Sequence, residues 1–389
     1  MRDPELITDS RALEALALRL AAAERIAIDV EANGLFAYRA QLCTLQLALT
    51  TDGELEVVLI DTLAVDLGPL RTALGEEGPL KVLHDLTFDA ELLASVGVPL
   101  GRVRDTSVAA RFLGHEATGL ANVLERELGI TIDKSLQQHD WGKRPLTDAA
   151  LAYLASDVAH LLALDETLAE RARAAEILEE IEEESRHRAR QAEARLLDLQ
   201  PAYTRIKNAC SLPTWAERAV LRRVHAVREE LASAGDVPSY RVMPSDMLLH
   251  LCRAKPASAE AFRAVVARRR PDLDPEAWLL AVERGLRDGD VPEDDKAHFE
   301  RPTMHPLLVE RRRRRDGQVH AWRKAESVRR GVPEQAILPG HCAHGVAQAL
   351  AEVHPDEASK REALSRVPGL GEKRLRTYLD AWLAFEELV

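Results

Sequence analysis

The spacing of apolar positions changes along the chain, and the change divides it. From about Asp9 to Glu24, Leu and Ala recur at helical spacing. RIAIDV (25–30), LCTLQLAL (42–49) and ELEVVLID (54–61) are short apolar runs, the last two separated by the turn residues TDG (51–53). They predict the strands of an antiparallel meander. A helical stretch near 67–74 leads to LKVLHD (80–85), read as a further strand. Helices then fit about 88–96, 106–113, 119–128 and 147–174. Antiparallel strands followed by strand–helix alternation predict a mixed sheet with helices on its faces. Beyond Pro213 no strand pattern recurs, and the acidic stretch GDVPEDDKAHFE (289–300) separates two all-helical segments, about 213–290 and 300–389.

Composition adds bounds. A chain of 389 residues suits two or three domains. The net charge of −12 argues against a nucleic-acid partner on average, but a bound strand responds to the local field rather than the total. The acidic run EILEEIEEE (176–184), with Arg186, Arg188, Arg190 and Arg195 after it, reads as a solvated helix with charge pairs that leads out of the first domain. Between Arg311 and Arg330 the balance reverses, with nine Lys/Arg against two Asp/Glu. Cys43, Cys210, Cys252 and Cys342 form no CxxC pair, which leaves no zinc-cluster pattern and fits a reduced compartment. The N-terminal MRDPELITDS has no apolar signal region, and no apolar run approaches the ~18 residues of a membrane helix. The expectation is a soluble, cytoplasmic protein with no membrane partner and no evident obligatory protein partner.

Three elements carry candidate chemistry. Asp29 and Glu31 end the IAIDV strand, and residues two apart on a strand project to the same face. Two adjacent carboxylates repel unless a cation lies between them, and oxygen ligands suit a hard divalent cation; alone, the pair could equally end a strand in an ordinary turn. VLHDLTFDAELL (82–93) runs from strand to helix, with His84 and Asp85 at the junction and Asp89 early in the helix, where it could also merely complement the helix dipole. LAYLASDVAHLLAL (151–164) is an otherwise apolar helix in which Tyr153 and Asp157, four apart, share a face. A carboxylate buried there needs a partner or a metal. Together Asp29, Glu31, Asp89 and Asp157 could hold two divalent cations, Mg²⁺ or Mn²⁺, about 4 Å apart, for hydrolysis of a phosphodiester with Tyr153 orienting the water.

In this order, DxE, HxxxxD and YxxxD resemble the motifs of the DEDD exonuclease superfamily, tyrosine subtype, and within it the ribonuclease D family. QLCTLQLAL (41–49), DTSVAARFLG (105–114) and KSLQQHDWGKRPLT (134–147) resemble that family's flanking segments, and the resemblance covers essentially the whole chain. One departure is DVEANGL, where the family pattern would be DTEF; it alters no ligand. The resemblance implies a ribonuclease H-like α/β exonuclease domain with a mixed sheet over 1–195, a linker at 196–212, and two all-α domains of HRDC type. These are 213–290 and a diverged copy at 300–389. It implies 3′-to-5′ exoribonuclease activity releasing nucleoside monophosphates, with RNA, tRNA precursors in particular, as substrate. Two other activities stay open from the residues: an exonuclease on single-stranded DNA, and a catalytically silent RNA-binding protein.

Around the carboxylates, His84, Lys134, Trp141, Lys143 and Arg144 are candidate substrate-binding residues. The basic side chains would meet phosphates without reading sequence. His84 and Trp141 have a packing role as the alternative. Asp85 could be a surface carboxylate or part of an outer shell. SLPTWAERAVLRRVHAVREELA (211–232) and PSYRVMPSDMLLHLCRAKP (238–256) resemble the HRDC module, and VHAWRKAESVRRGVPEQAILP (319–339) resembles a second copy. VPGLGEKRL (367–375) resembles a helix-hairpin-helix turn, whose N–H groups could meet a phosphate or simply cap two packed helices.

Overall fold

The structure, a computed structural model, describes residues 4–266, 273–300, 305–354 and 356–385. Contacts divide it into two units: Met1–Ala32, Leu42–Leu197 and Met304–Val389 form one, Asn33–Gln41 and Asp198–Thr303 the other. Among the described residues no helix is long and apolar enough to cross a membrane.

The first unit is built on a six-stranded sheet in the order β1-β4-β3-β2-β5-β6. Its strands are β1 (Glu5–Ile7), β2 (Arg25–Ala32), β3 (Leu42–Thr51), β4 (Glu54–Asp61), β5 (Leu80–Leu83) and β6 (Val103–Asp105). β2, β3 and β4 form the expected antiparallel meander. β1, β5 and β6 add parallel to β4, β2 and β5. The two edge strands were not expected from the sequence; at three residues each, neither is long enough to show a period.

The side chains of β2 alternate. Ile26, Ile28 and Val30 enter one apolar cluster with Leu45, Leu47, Val58 and Ile60, covered by Leu13, Leu16 and Leu20 of α1 (Ser10–Ala22) and by Ala90 and Leu93 of α2 (Thr87–Ser95). Ala27 enters a second cluster on the opposite face. That face is covered by α3 (Thr106–Phe112), α4 (Leu120–Leu128), α5 (Asp148–Ala159) and α6 (Leu161–Ala174). Period two therefore places Asp29 and Glu31 on the Ala27 face, beneath α5. The single helix expected over 147–174 is two, α5 and α6, meeting at His160.

α7 (Leu178–Leu196) carries the acidic run, and it is not a solvated face: Glu180 and Glu184 are 1% and 3% exposed. The C-terminal helices are α12 (Pro306–Arg330), α13 (Gly340–Ala351), α14 (Glu357–Ser365) and α15 (Glu372–Leu383), numbered after four of the helices of the second unit below, and α7 pairs with residues of α12, α13 and α15. Arg376 meets Glu179 at 3.0 Å, Arg330 meets Glu180 at 3.4 Å, Arg374 meets Glu183 at 3.7 Å and His341 meets Glu184 at 3.6 Å. The apolar cluster on the Ala27 face runs on into these helices through Val319, Val346, Leu364 and Trp382. The boundaries drawn at 1–195 and 300–389 thus enclose parts of one compact unit.

Two sequence features resolve here. Gly369 and Gly371, at φ +74° and +79°, form the turn before α15, and the Lys373 N–H that could have met a phosphate donates to Glu183 Oε1 at 2.8 Å. In the basic stretch, Arg315 and Arg323 are 3% and 5% exposed, so part of the apparent positive patch points into the protein.

The second unit contains α8 (Trp215–Ala234), α9 (Ser245–Ala254), α10 (Ala259–Val266) and α11 (Glu276–Asp288) around Leu221, Leu248, Phe262 and Trp278. Thr214 and Glu217 close a capping box on α8. Gly285 of α11 lies so near α8 that a Cβ would fall 2.5 Å from Val220 Cα, which explains glycine inside a helix.

Candidate active site

Two elements converge on the Ala27 face. Asp29 and Glu31 come from β2, and Asp157 from the last turns of α5. Each of the three offers a carboxylate oxygen within 4.8 Å of the other two. Asp89, in the first turn of α2, is 6% exposed and feels the charges of Asp29 and Glu31.

The electrostatics are those of an uncompensated acidic cluster. Burial pushes Asp29 up to about 7. Burial, then the charges of Asp29 and Asp157, push Glu31 up to about 9. Burial and Asp29 push Asp157 up to about 8. Asp89 is raised well above the usual carboxylate range by burial and then by Asp29, Asp105 and Glu31. The donors are all carboxylate oxygens, the set a hard divalent cation prefers, and a cation would remove the repulsion. The residues present therefore fit a metal site.

Tyr153 lies one helical turn before Asp157 and is 9% exposed. Burial and the charges of Asp157, Glu31 and Asp29 raise its phenol, so the hydroxyl stays protonated and can donate. Its ring lies 5.7 Å from that of Trp141.

Asp105 was not singled out from the sequence as a site residue. It caps α3 through Ser107 N–H at 2.8 Å and accepts the N–H groups of Asp85 and Leu86 at 2.9 and 3.2 Å. It thereby holds the turn that delivers Asp89, with Asp85 itself exposed at φ +62°. The available signal was an Asp before Thr-Ser at a helix start.

The five candidate substrate contacts separate. Lys134 and Lys143 are exposed, Lys143 lying 3.8 Å from Asp140. His84 spends both ring nitrogens inside the protein, Nδ1 on the Thr106 hydroxyl and Nε2 on the Thr118 carbonyl, each at 2.8 Å. Burial lowers its pKa, so it sits there neutral. Arg144 is likewise engaged: Nε and Nη2 grip Asp61 at 2.6 and 2.7 Å, and the remaining contacts go to the carbonyls of Cys43, Trp141 and Lys143. Trp141 is 1% exposed. In this structure His84, Trp141 and Arg144 build the frame of the site, because their polar groups or surfaces are already enclosed.

A family model described as 3′-5′ exonuclease matches residues 4–173, and one described as HRDC domain matches residues 217–270. A curated ribonuclease D of Gluconacetobacter diazotrophicus is 31% identical over 79% of this chain and 78% of its own length. One of a Jannaschia species is 30% identical over 79% and 81%. Among solved structures, Escherichia coli RNase D, described as an exoribonuclease involved in structured RNA processing, superposes with a TM-score of 0.69 at 24% identity, covering 98% of each chain. A Bifidobacterium adolescentis protein superposes with a TM-score of 0.72 at 20% identity, over 98% of this chain and 96% of its own. The fold, a mixed-sheet exonuclease domain followed by helical HRDC-type sequence, is the one those relatives share, and the chain belongs to the ribonuclease D family.

Proposed function

We propose that the chain is a metal-dependent 3′-to-5′ exoribonuclease that trims the 3′ ends of structured RNA, tRNA precursors among them, and releases nucleoside monophosphates. The observation that carries the chemistry is the convergence of Asp29, Glu31 and Asp157 within 4.8 Å on one face of the sheet, with Asp89 beside them. Family membership supports the choice of RNA and of the 3′ end.

Asp29, Glu31, Asp89 and Asp157 would hold the divalent cations, Mg²⁺ or Mn²⁺. Cations held there would supply activation of the attacking water and stabilisation of the leaving 3′ oxygen. The protein's own groups do the rest. The carboxylates fix where the cations sit, and the protonated Tyr153 hydroxyl orients the water by hydrogen bonding. Exposed Lys134 and Lys143 would meet the phosphates of the incoming strand without selecting bases. The helical segment 300–389, as a diverged second HRDC-type module, would keep RNA contact on the outward arginines of α12, Arg313 and Arg314 among them.

The test is stepwise shortening of 5′-labelled tRNA bearing a 3′ extension, beside a single-stranded DNA of matched sequence, with Mg²⁺, Mn²⁺ or chelator. One-nucleotide steps on RNA, absent in chelator and in Asp29→Asn, are expected. Equal digestion in chelator would refute the metal chemistry. Faster digestion of DNA would refute the choice of RNA.

A further inference from the structure

Trp141 combines two properties that packing alone does not explain. It is among the largest fully buried side chains of the described residues, and its indole Nε1 is buried with no hydrogen-bond partner. Leaving such a donor unpaired is costly, and a Phe would fill much of the same space at no such cost.

The surroundings show where the donor is directed. The Trp141 ring lies between His139, edge-on at 4.8 Å, and Tyr153 at 5.7 Å. The N–H faces the Glu31 carboxylate and favours its charged form, yet the pair does not close to hydrogen-bond geometry.

The backbone of Trp141 is pinned by a device aligned with Glu31. In the sheet, Glu31 of β2 pairs with Thr44 of β3, and Thr44 pairs with Asp61 of β4. Arg144 grips Asp61 through two hydrogen bonds at the end of that row. From the same guanidinium, Nη2 donates to the Cys43 carbonyl at 2.8 Å and Nη1 to the Trp141 carbonyl at 2.7 Å. One arginine thus ties the Trp141 loop to the strand row that ends in Glu31. A planar, always-charged fork suits such a grip, and a lysine could not reproduce it.

We propose that Trp141 is a positioning residue for metal binding: its indole N–H closes on the Glu31 carboxylate when a divalent cation occupies the acidic cluster, and Arg144 holds Trp141 at the required place. The inference rests on the metal-site reading above. The N–H then acts on a ligand from outside the coordination sphere. It fixes one orientation of the Glu31 carboxylate as the cation binds and is itself satisfied there. Outer partners of this kind are worth 10–100-fold in metal affinity.

The experiment uses the metal-free full chain and Mn²⁺ titrated calorimetrically, so no turnover is read. Trp141→Phe keeps a ring against Tyr153 and removes the N–H together with part of the indole volume. Its Kd for Mn²⁺ is expected to rise about 10-fold or more, with a cooperative melt in chelator showing that the variant is folded. On ¹⁵N-labelled wild type, the indole N–H signal that disappears in Trp141→Phe is expected to move during Mg²⁺ titration, with the same Kd as the calorimetric site. A Kd within twofold of wild type, or an indole signal that stays still, overturns the proposal. If Trp141→Phe does not fold, Arg144→Lys takes its place: it leaves the ring and cuts the bidentate grip, and Mn²⁺ affinity equal to wild type overturns the proposal there. Failure of the metal-site reading looks different, since wild type itself would then bind Mn²⁺ no better than Asp157→Asn.

Discussion

Replacing Asp157 by Asn should make the metal-free protein more stable while removing its activity. Asp157 is held near 8 against an ordinary value of 3.8, first by burial and then by Asp29. A carboxylate raised in the fold contributes its full stability below pH 4 and loses it as the pH rises toward 8, because the unfolded chain ionises first. At 1.36 kcal/mol for each tenfold in proton concentration, ionisation costs the fold about 2 kcal/mol at pH 5 and about 4 kcal/mol at pH 7. Asn has nearly the same shape and does not ionise, so it escapes that cost. The assay is urea unfolding of wild type and Asp157→Asn in chelator at both pH values. The variant should be the more stable, with the gap widening between pH 5 and pH 7. Saturating Mg²⁺ should reverse the order, since wild type gains binding energy that the variant cannot. Loss of an outer partner already costs 10–100-fold, so loss of this ligand should cost RNA trimming at least ~100-fold. A gap that does not widen with pH, or a variant less stable than wild type in chelator at pH 7, would refute the account of a site strained by its own charges.

Further expectations follow from the same geometry. Metal affinity should climb steeply from pH 6 to pH 9, because Asp29, Asp157 and Glu31 ionise near 7, 8 and 9 and the cation takes the ionised forms; calorimetry in buffers of differing ionisation enthalpy should show protons released at pH 7, and a flat profile would contradict the crowding. Tyr153→Phe should lower kcat by roughly 100-fold with KM and Mn²⁺ affinity unchanged, and weakened metal binding in its titration would make Tyr153 part of the metal site instead. Arg374 is 0% exposed and serves the carbonyls of Ile337, Leu370 and Ala336 as well as Glu183. Its replacement by Ala should therefore cost about 3–5 kcal/mol, read as a lower urea midpoint, and an unchanged midpoint would mean that the docking of α15 is held by apolar contact alone.

Much of the proposed site was legible because its candidate ligands obey local periods. Asp29 and Glu31 share a face by the period of a strand, and Tyr153 and Asp157 by that of a helix, so spacing alone put each pair on one face. What spacing could not reveal was competition. Arg144 reads as a phosphate ligand until Asp61, 83 positions away in sequence, is found to occupy its fork. His84 reads as a site histidine until Thr106 and Thr118 take both nitrogens. Asp105 escaped notice for the opposite reason, since a helix-capping Asp is common and only its bonds to Asp85 and Leu86 connect it to Asp89. In each case the deciding partner lies beyond any window that periodicity can read.

The same competition revises what the charge of the chain means. From the sequence, the run 176–184 reads as a solvated face and the basic stretch 311–330 as an RNA contact or a solvated face. The acids of the first are matched largely by basic residues of the C-terminal helices, one of them from the basic stretch itself. Arg330 is held by Glu180, and Arg374 and Arg376 by Glu183 and Glu179. The Lys373 N–H of the glycine turn takes Glu183 where a phosphate could have bound. An internal carboxylate competes with RNA at full effective concentration, and salt screens such contacts only weakly where they are buried. The glycine turn is therefore a docking element for α7, and the cations that would displace counterions from RNA lie outside this seam, Lys134, Lys143 and the outward arginines of α12 among them. A net charge of −12 is compatible with an RNA substrate on these terms, because acids of α7 are matched by the protein's own bases and the clustered acids Asp29, Glu31, Asp89 and Asp157 would be matched by a metal.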